Sequence, residues 1–243
     1  MDLKTANATR WSKMHISADK GPSFKSTADR LMTPNARQRY QAVSTKTGVP
    51  WEVIAVIHER EAGQKWDTYL GNGQALNKKT TIVPKNRGPF ETWEDGAVDA
   101  LVNAEPKAAS NKDWSVGGTL AIIERYNGLG YANKGLPSPY LWAGTDQYIK
   151  GKYVSDGKYN ANVVDTQLGA AGVLKFMGWG QRSSGGAVAA GTVVAAGTGA
   201  AVTAPTDYLP WIIGATAIVA LIAFLVFDIM SYNKWKKENA IPN

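Results

Sequence analysis

The chain has 243 residues, with 27 Lys and Arg against 20 Asp and Glu, so its formal net charge is +7. It has no cysteine, which excludes disulfides, thiolate metal sites and a cysteine nucleophile, and two histidines are too few for a multi-histidine metal site. No basic cluster with interleaved aromatic residues stands out, so nucleic acid is not an expected partner. A basic surface instead suits another anionic partner, such as acidic lipid or cell-wall polymer.

The predicted elements are mostly helices. Residues 1–32 are polar and basic, contain no signal peptide-like apolar stretch, and give no clear element. Five later helices are predicted from their N-terminal signals. They run from Thr33-Pro34 to about Lys46, from Pro50 to Gly63, from Thr92 to Ala104, from Ser115 to Asn127 and from Asn162 to Gly178. Asp156-Gly157 predicts a tight turn between two short strands. The fold class is therefore mainly α, with a small β element.

The C-terminal quarter has a different composition. Residues 183–206 are Gly, Ala, Val, Thr, Ser and Pro without charge, which predicts a linker over 183–207. Residues 208–227 are also uncharged and strongly apolar, which predicts one transmembrane helix over 208–230, and 231–243 form a basic tail. The lysines of this tail place it in the cytoplasm, so residues 1–182, with a core at about 34–178, are expected outside.

One acidic residue falls on the apolar face of its predicted helix. At 100° per residue from Val53, the apolar stripe of the second helix is centred near about 20°, and Glu61 falls at about 80°, inside it. Glu59 falls at about 240°, with Glu52, and both are expected to face solvent. Partial burial raises the pKa of a carboxyl group, as a glycosidic general acid requires. A carboxylate neutralised by Arg60, Arg125 or a backbone amide is the alternative.

Two segments resemble a known family. VPWEVIAVIHEREAG (49–63) resembles the first motif of the goose-type lysozyme and soluble lytic transglycosylase group, and ERYNGLGY (124–131) resembles a later one. With RGPF and PSPYLW, the resemblance covers about residues 48–178. It implies a lysozyme-like α+β domain in which Glu61 is the catalytic acid, Tyr126 lies close to it and Asn127 contacts the sugar. The family's Ser position is Ala62 here, and its Gly-x-x-Gln motif is not clearly matched by residues 71–74.

Several further residues are candidates with open alternatives. Tyr140 and Trp142 offer sugar-stacking faces, or they simply pack. Asn127 faces the sugar, or it is a helix C-cap. Asp67, Glu94, Asp95 and Asp99 are possible second carboxylates beside Glu61. Asp67 is the nearest in sequence, and Asp95 and Asp99 are expected instead to cap their helix or to face solvent. His58, at the margin of the apolar stripe, is more plausibly structural.

These patterns predict an enzyme that cleaves peptidoglycan glycan strands, as a hydrolase or a lytic transglycosylase. Hydrolysis is placed slightly ahead, and neither route requires a metal or cofactor. The expected partners are peptidoglycan and a lipid bilayer, with the catalytic domain on the side of the wall. Because no signal peptide is recognised, a phage protein used in lysis or entry is one hypothesis. The alternatives are a non-catalytic, membrane-anchored wall-binding protein and a protein that damages membranes through its apolar segment.

Overall fold

A computed structural model describes residues 2–155 and 157–180 of the chain. The described part is mainly helical, with one two-stranded antiparallel sheet. The α-helices are α1 (Leu3–Lys13), α2 (Gly21–Leu31), α3 (Pro34–Thr47), α4 (Trp51–Ala62), α5 (Trp93–Val102), α6 (Val116–Tyr126), α7 (Pro139–Trp142) and α8 (Ala170–Phe176). Short 3₁₀ turns occupy Ala108–Ser110 and Ala132–Lys134, and the strands are β1 (Lys152–Ser155) and β2 (Lys158–Asn160).

The capping residues explain where the central helices begin and end. Thr92 accepts a hydrogen bond from the Asp95 amide at the start of α5, and Ser115 accepts one from Gly118 at the start of α6. Pro34 opens α3, and Gly48 ends it with a φ of 72°. The predicted positions of α3 to α6 are confirmed. The two strands on either side of the predicted 156–157 turn are confirmed as well.

Helix α4 lies at the centre of the core. Its residues 52–58 are all buried, and α3, α6 and α8 pack against it. The expectation that Glu52 and Glu59 face solvent was therefore wrong, because neighbouring helices surround α4 on more than its apolar stripe. Glu52 is buried, and Glu59 is half-buried and paired with Arg30, its Oε2 lying 2.9 Å from Nη2.

Residues 2–32, which had no sequence assignment, form α1 and α2. The side chain of Asp2 caps α1, which packs on α6 so closely that a Cβ at Gly117 would lie 2.6 Å from the Lys4 carbonyl oxygen. On α2, Phe24 packs against Gly172 of α8 and stacks on Phe176. Tertiary contacts thus hold two helices whose own sequences are mostly polar.

The last predicted helix starts later than expected. Asn162 does not cap it, and α8 begins at Ala170. The residues before it bind neighbouring segments instead: the Val163 carbonyl accepts from Gly151 at 2.8 Å, and the Gly169 amide donates to Ala143 at 2.9 Å. These bonds take the place of the backbone hydrogen bonds that a helix over residues 162–169 would form.

The predicted membrane segment cannot be compared with these elements. In residues 2–155 and 157–180, every helix is too short or too polar to cross a bilayer. The predicted linker (183–207), transmembrane helix (208–230) and basic tail (231–243) lie outside the described residues.

Candidate active site

Glu61 occupies the last turn of α4. Gly63, with a φ of 59°, ends the helix two residues later, and its amide donates to the Glu59 carbonyl. The Glu61 carboxyl accepts a hydrogen bond of 2.7 Å from the hydroxyl of Tyr140. Glu61 is half-buried, so its side chain is packed among neighbours while part of it remains accessible to solvent.

The surroundings of Glu61 favour the protonated carboxyl. Burial raises its pKa to about 7, because removing water destabilises the carboxylate form. The Tyr140 hydrogen bond and the positive charge of Arg60 act in the opposite direction and lower the pKa in part. Near neutral pH the group therefore exchanges its proton readily, which is the property required of a general acid and base.

Tyr140 reaches Glu61 from the short helix α7. Its ring is 5% exposed, and the guanidinium of Arg60 lies 4.4 Å from the ring centroid on one face. Of the two alternatives given for Tyr140, packing is the one observed, since its ring is covered by protein. The hydroxyl of Tyr140 instead holds the carboxyl of Glu61.

Arg60 was considered from the sequence only as a partner that could neutralise Glu61. Its Nη1 donates to the Leu168 carbonyl at 2.8 Å, which fixes the guanidinium against Tyr140. Within residues 2–155 and 157–180, Glu61 takes part in no ion pair, so Arg60 acts on it by charge without neutralising it at contact distance. The alternative of a carboxylate locked in an ion pair is not the arrangement found.

Tyr126 is the last residue of α6. The charge of Glu61 is among the causes that raise the pKa of Tyr126, after burial, and Tyr69 is the next contributor. The Tyr126 hydroxyl is buried and has no hydrogen-bond partner in the described part of the chain. Tyr140 thus contacts Glu61 directly, and Tyr126 lies within reach of its charge.

A loop of residues 69–90 packs against the end of α4. Gly73, with a φ of 70°, approaches so closely that a Cβ there would lie 2.5 Å from the Glu61 carbonyl oxygen. The loop is fixed to α5 because the Tyr69 hydroxyl donates to Asp99 at 2.9 Å, and Arg87 forms a two-bonded ion pair with the same carboxylate. Asp99 therefore does not cap its helix or face solvent, as was expected, but anchors this loop.

Asn127 is at the C-cap of α6 and is exposed. Its side-chain amide lies 3.4 Å from the Ser138 hydroxyl, directly before α7. The C-cap position given as one alternative is the one observed. Contact of Asn127 with a sugar stays a prediction.

Trp142 is fully buried in the core. Of the two alternatives given for Trp142, packing is the one observed, because PSPYLW contains the helical turn α7 and its indole belongs to the hydrophobic core.

The other acids near α4 and α5 do not join Glu61. Asp67 is exposed, and its charge is not among the groups that act on the pKa of Glu61. Glu94 binds Arg39 through both oxygens, at 2.6 and 3.0 Å, and Asp95 binds the Thr92 hydroxyl. Glu61 thus stands without a second carboxylate in contact among the described residues.

His58 is structural, as expected. It is fully buried among Tyr40, Trp66 and Trp93, and its Nε2 donates to the Lys65 carbonyl at 2.9 Å while Nδ1 accepts from the Tyr40 hydroxyl. Burial lowers its pKa to about 4, so the ring is neutral at physiological pH.

Comparisons with protein-family models, with curated proteins and with solved structures found no match to this chain. No group of three or more His, Asp or Glu in residues 2–155 and 157–180 is arranged to hold a metal ion.

Proposed function

We propose that the chain is a membrane-anchored enzyme with a lysozyme-like domain, which cleaves the glycan strands of peptidoglycan with Glu61 as proton donor. The observation that carries the proposal is the environment of Glu61. Its carboxyl is half-buried, hydrogen-bonded to a neutral tyrosine hydroxyl and has a pKa of about 7. Such a group holds a proton near neutral pH and can deliver it to a leaving oxygen.

In the proposed reaction, Glu61 protonates the glycosidic oxygen as the bond from that oxygen to the anomeric carbon breaks. The bonding electron pair leaves with the oxygen, and positive charge develops on the sugar ring. Glu61, now a carboxylate, then takes a proton from the hydroxyl that attacks the anomeric carbon. The enzyme returns to its starting protonation state at the end of this sequence.

The attacking hydroxyl belongs to water in a hydrolase and to the 6-hydroxyl of the muramic acid residue in a lytic transglycosylase. Asp67 was a possible second carboxylate to activate water, but Asp67 is exposed and is not among the groups that shift the pKa of Glu61. The single carboxylate at the site supports the route in which one group is acid and then base. We therefore place the transglycosylase route first, with hydrolysis as the competing outcome.

The test is digestion of purified sacculi by the full chain in mild detergent, followed as loss of turbidity. Glu61→Gln is expected to lower the rate at least about 100-fold, the lower range of general acid catalysis. Glu59→Gln is the matched control, because it changes an acid of the same helix that is bound to Arg30. Digestion by Glu61→Gln at the parent rate would refute Glu61 as the proton donor, and binding of sacculi without digestion by the parent would make the chain a wall-binding protein.

Mass spectrometry of the released fragments separates the two routes. A 1,6-anhydro end lacks one water relative to a reducing end, so transglycosylation and hydrolysis give products of different mass. The membrane side is tested separately by protease treatment of intact spheroplasts. Complete protection of the N-terminal domain would contradict an outward-facing orientation.

A further inference from the structure

The loop of residues 78–86 carries two exposed apolar side chains at its tip. Ile82 is 53% exposed and Val83 is 78% exposed, so this loop carries two of the six large apolar residues that are exposed among the described residues. These two residues are adjacent in sequence, whereas the other exposed large apolar residues, Val102, Ile149, Val154 and Val164, are separate positions, so one short loop presents two apolar side chains.

Several backbone groups of this tip are hydrogen-bonded within the protein. The side chain of Gln74 accepts from the amides of Thr81 and Ile82, at 2.8 and 3.1 Å, and the Asn72 amide donates to the Ile82 carbonyl at 3.2 Å. Thr80 closes the base of the loop through hydrogen bonds with Asn86 and Arg87. Polar backbone groups that are satisfied within the protein lower the cost of moving the tip out of water.

Positive charge surrounds the apolar tip. Lys78, Lys79 and Lys85 are exposed and lie within four residues of Ile82 or Val83. Lysines close to a surface of anionic lipid are each worth about 1 kcal/mol, while an apolar tip between them gains from entering the region below the headgroups. The sequence also predicts a bilayer partner through residues 208–230, at the far end of the chain.

We propose that the loop 78–86 is a second membrane contact, which inserts Ile82 and Val83 into the headgroup region of an anionic bilayer while Lys78, Lys79 and Lys85 bind the lipid phosphates. The loop is continuous with the segment that packs on Glu61 through Gly73. Binding would therefore hold the candidate site close to the membrane surface, at a fixed height, instead of leaving it free on the predicted linker.

The absence of cysteine allows a direct test with the full chain. Val83→Cys provides a single attachment point for an environment-sensitive fluorophore, and Ile149→Cys is the matched control because Ile149 is also apolar and is 80% exposed. Each labelled protein is reconstituted with vesicles of phosphatidylglycerol and phosphatidylethanolamine, or of phosphatidylcholine alone. Anchoring by the C-terminal segment affects both labels equally, so their difference reports the loop.

The label at position 83 is expected to shift to shorter wavelength and to be quenched by nitroxide-labelled lipid in the anionic vesicles, while the label at 149 stays in water. Lys78→Gln with Lys79→Gln is expected to lower the ratio of inserted to free loop about 25-fold, converted from about 1 kcal/mol per lysine. Circular dichroism of each variant confirms that it is folded.

Three results would overturn the proposal. The label at 83 remains in water in anionic vesicles, or both labels respond equally, or the label at 83 responds to purified sacculi and not to vesicles. The third result would assign the loop to the wall polymer. Because the readout is fluorescence and not glycan cleavage, the membrane contact of the loop is tested independently of the catalytic role of Glu61.

Discussion

Replacing Glu61 by glutamine should stabilise the folded protein at alkaline pH. The folded state holds the pKa of Glu61 at about 7, against an ordinary value of 4.5. Because the folded pKa is raised, ionisation of Glu61 opposes folding, and stability is lost as pH rises from about 4.5 to 7. Glutamine cannot ionise, and its carbonyl oxygen can still accept the hydrogen bond from Tyr140.

The size of the effect follows from the difference in pKa. A difference of about 2.5 units at about 1.36 kcal/mol each gives roughly 3 kcal/mol at pH 8, and less than about 1 kcal/mol at pH 5. The gain in stability of Glu61→Gln over the parent should therefore be about 2 kcal/mol larger at pH 8 than at pH 5. Urea unfolding of the full chain in mild detergent, followed by near-ultraviolet circular dichroism, measures this difference.

Glu59→Gln is again the control. It removes the ion pair with Arg30 and is expected to give no gain at either pH. A stability difference between Glu61→Gln and the parent that is the same at pH 5 and pH 8 would falsify the reasoning, because it would mean that the carboxyl of Glu61 titrates alike in the folded and unfolded chain.

Two further variants probe the surroundings of Glu61. Glycan cleavage by the parent should fall about tenfold per pH unit above pH 7, as the acid form of Glu61 is lost, and Tyr140→Phe should move this fall to higher pH because the hydrogen bond it removes lowers the pKa. Initial rates across pH 5–9 measure both, and an unmoved or lowered limb would count against the role of Tyr140. Gly73→Ala should destabilise the protein by more than Gly48→Ala, since both glycines have a φ near 70° but the new Cβ meets the Glu61 carbonyl at 2.5 Å only at position 73. Equal losses in urea unfolding would refute that close contact.

The local signals in the sequence were sufficient to predict the middle of the fold. Capping residues such as Thr92 and Ser115, and terminators such as Gly48 and Gly63, act within a few residues of themselves, so α3 to α6 could be placed from the sequence. The apolar periodicity of α4 also indicated that Glu61 faces inward. Helices α1 and α2 gave no such signal, because packing on α6 and α8 stabilises them.

The candidate site was predicted less completely because its contacts join distant segments. Tyr140 binds Glu61 from 79 positions further along the chain, and nothing local to PSPYLW indicates that its aromatic rings are buried. Arg60 was considered as a neutralising partner, but its place over the Tyr140 ring depends on the Leu168 carbonyl of a third segment. Such contacts depend on tertiary packing and not on residue spacing.

Helix α4 carries the buried His58 and the half-buried Glu61 three positions apart, and protonation of these two side chains changes stability in opposite directions. The pKa of His58 is lowered to about 4, so its contribution is complete above about 6.5 and is lost as the solution is acidified, whereas that of Glu61 is lost as the solution becomes alkaline. Over about pH 4.5–6.5 the two slopes are similar in size and cancel. The free energy of unfolding of the parent protein should therefore change little with pH over this range. A substitution that removes the titration of Glu61 would leave a fold that loses stability on acidification, and one that removes the titration of His58 would leave a fold that loses stability as pH rises.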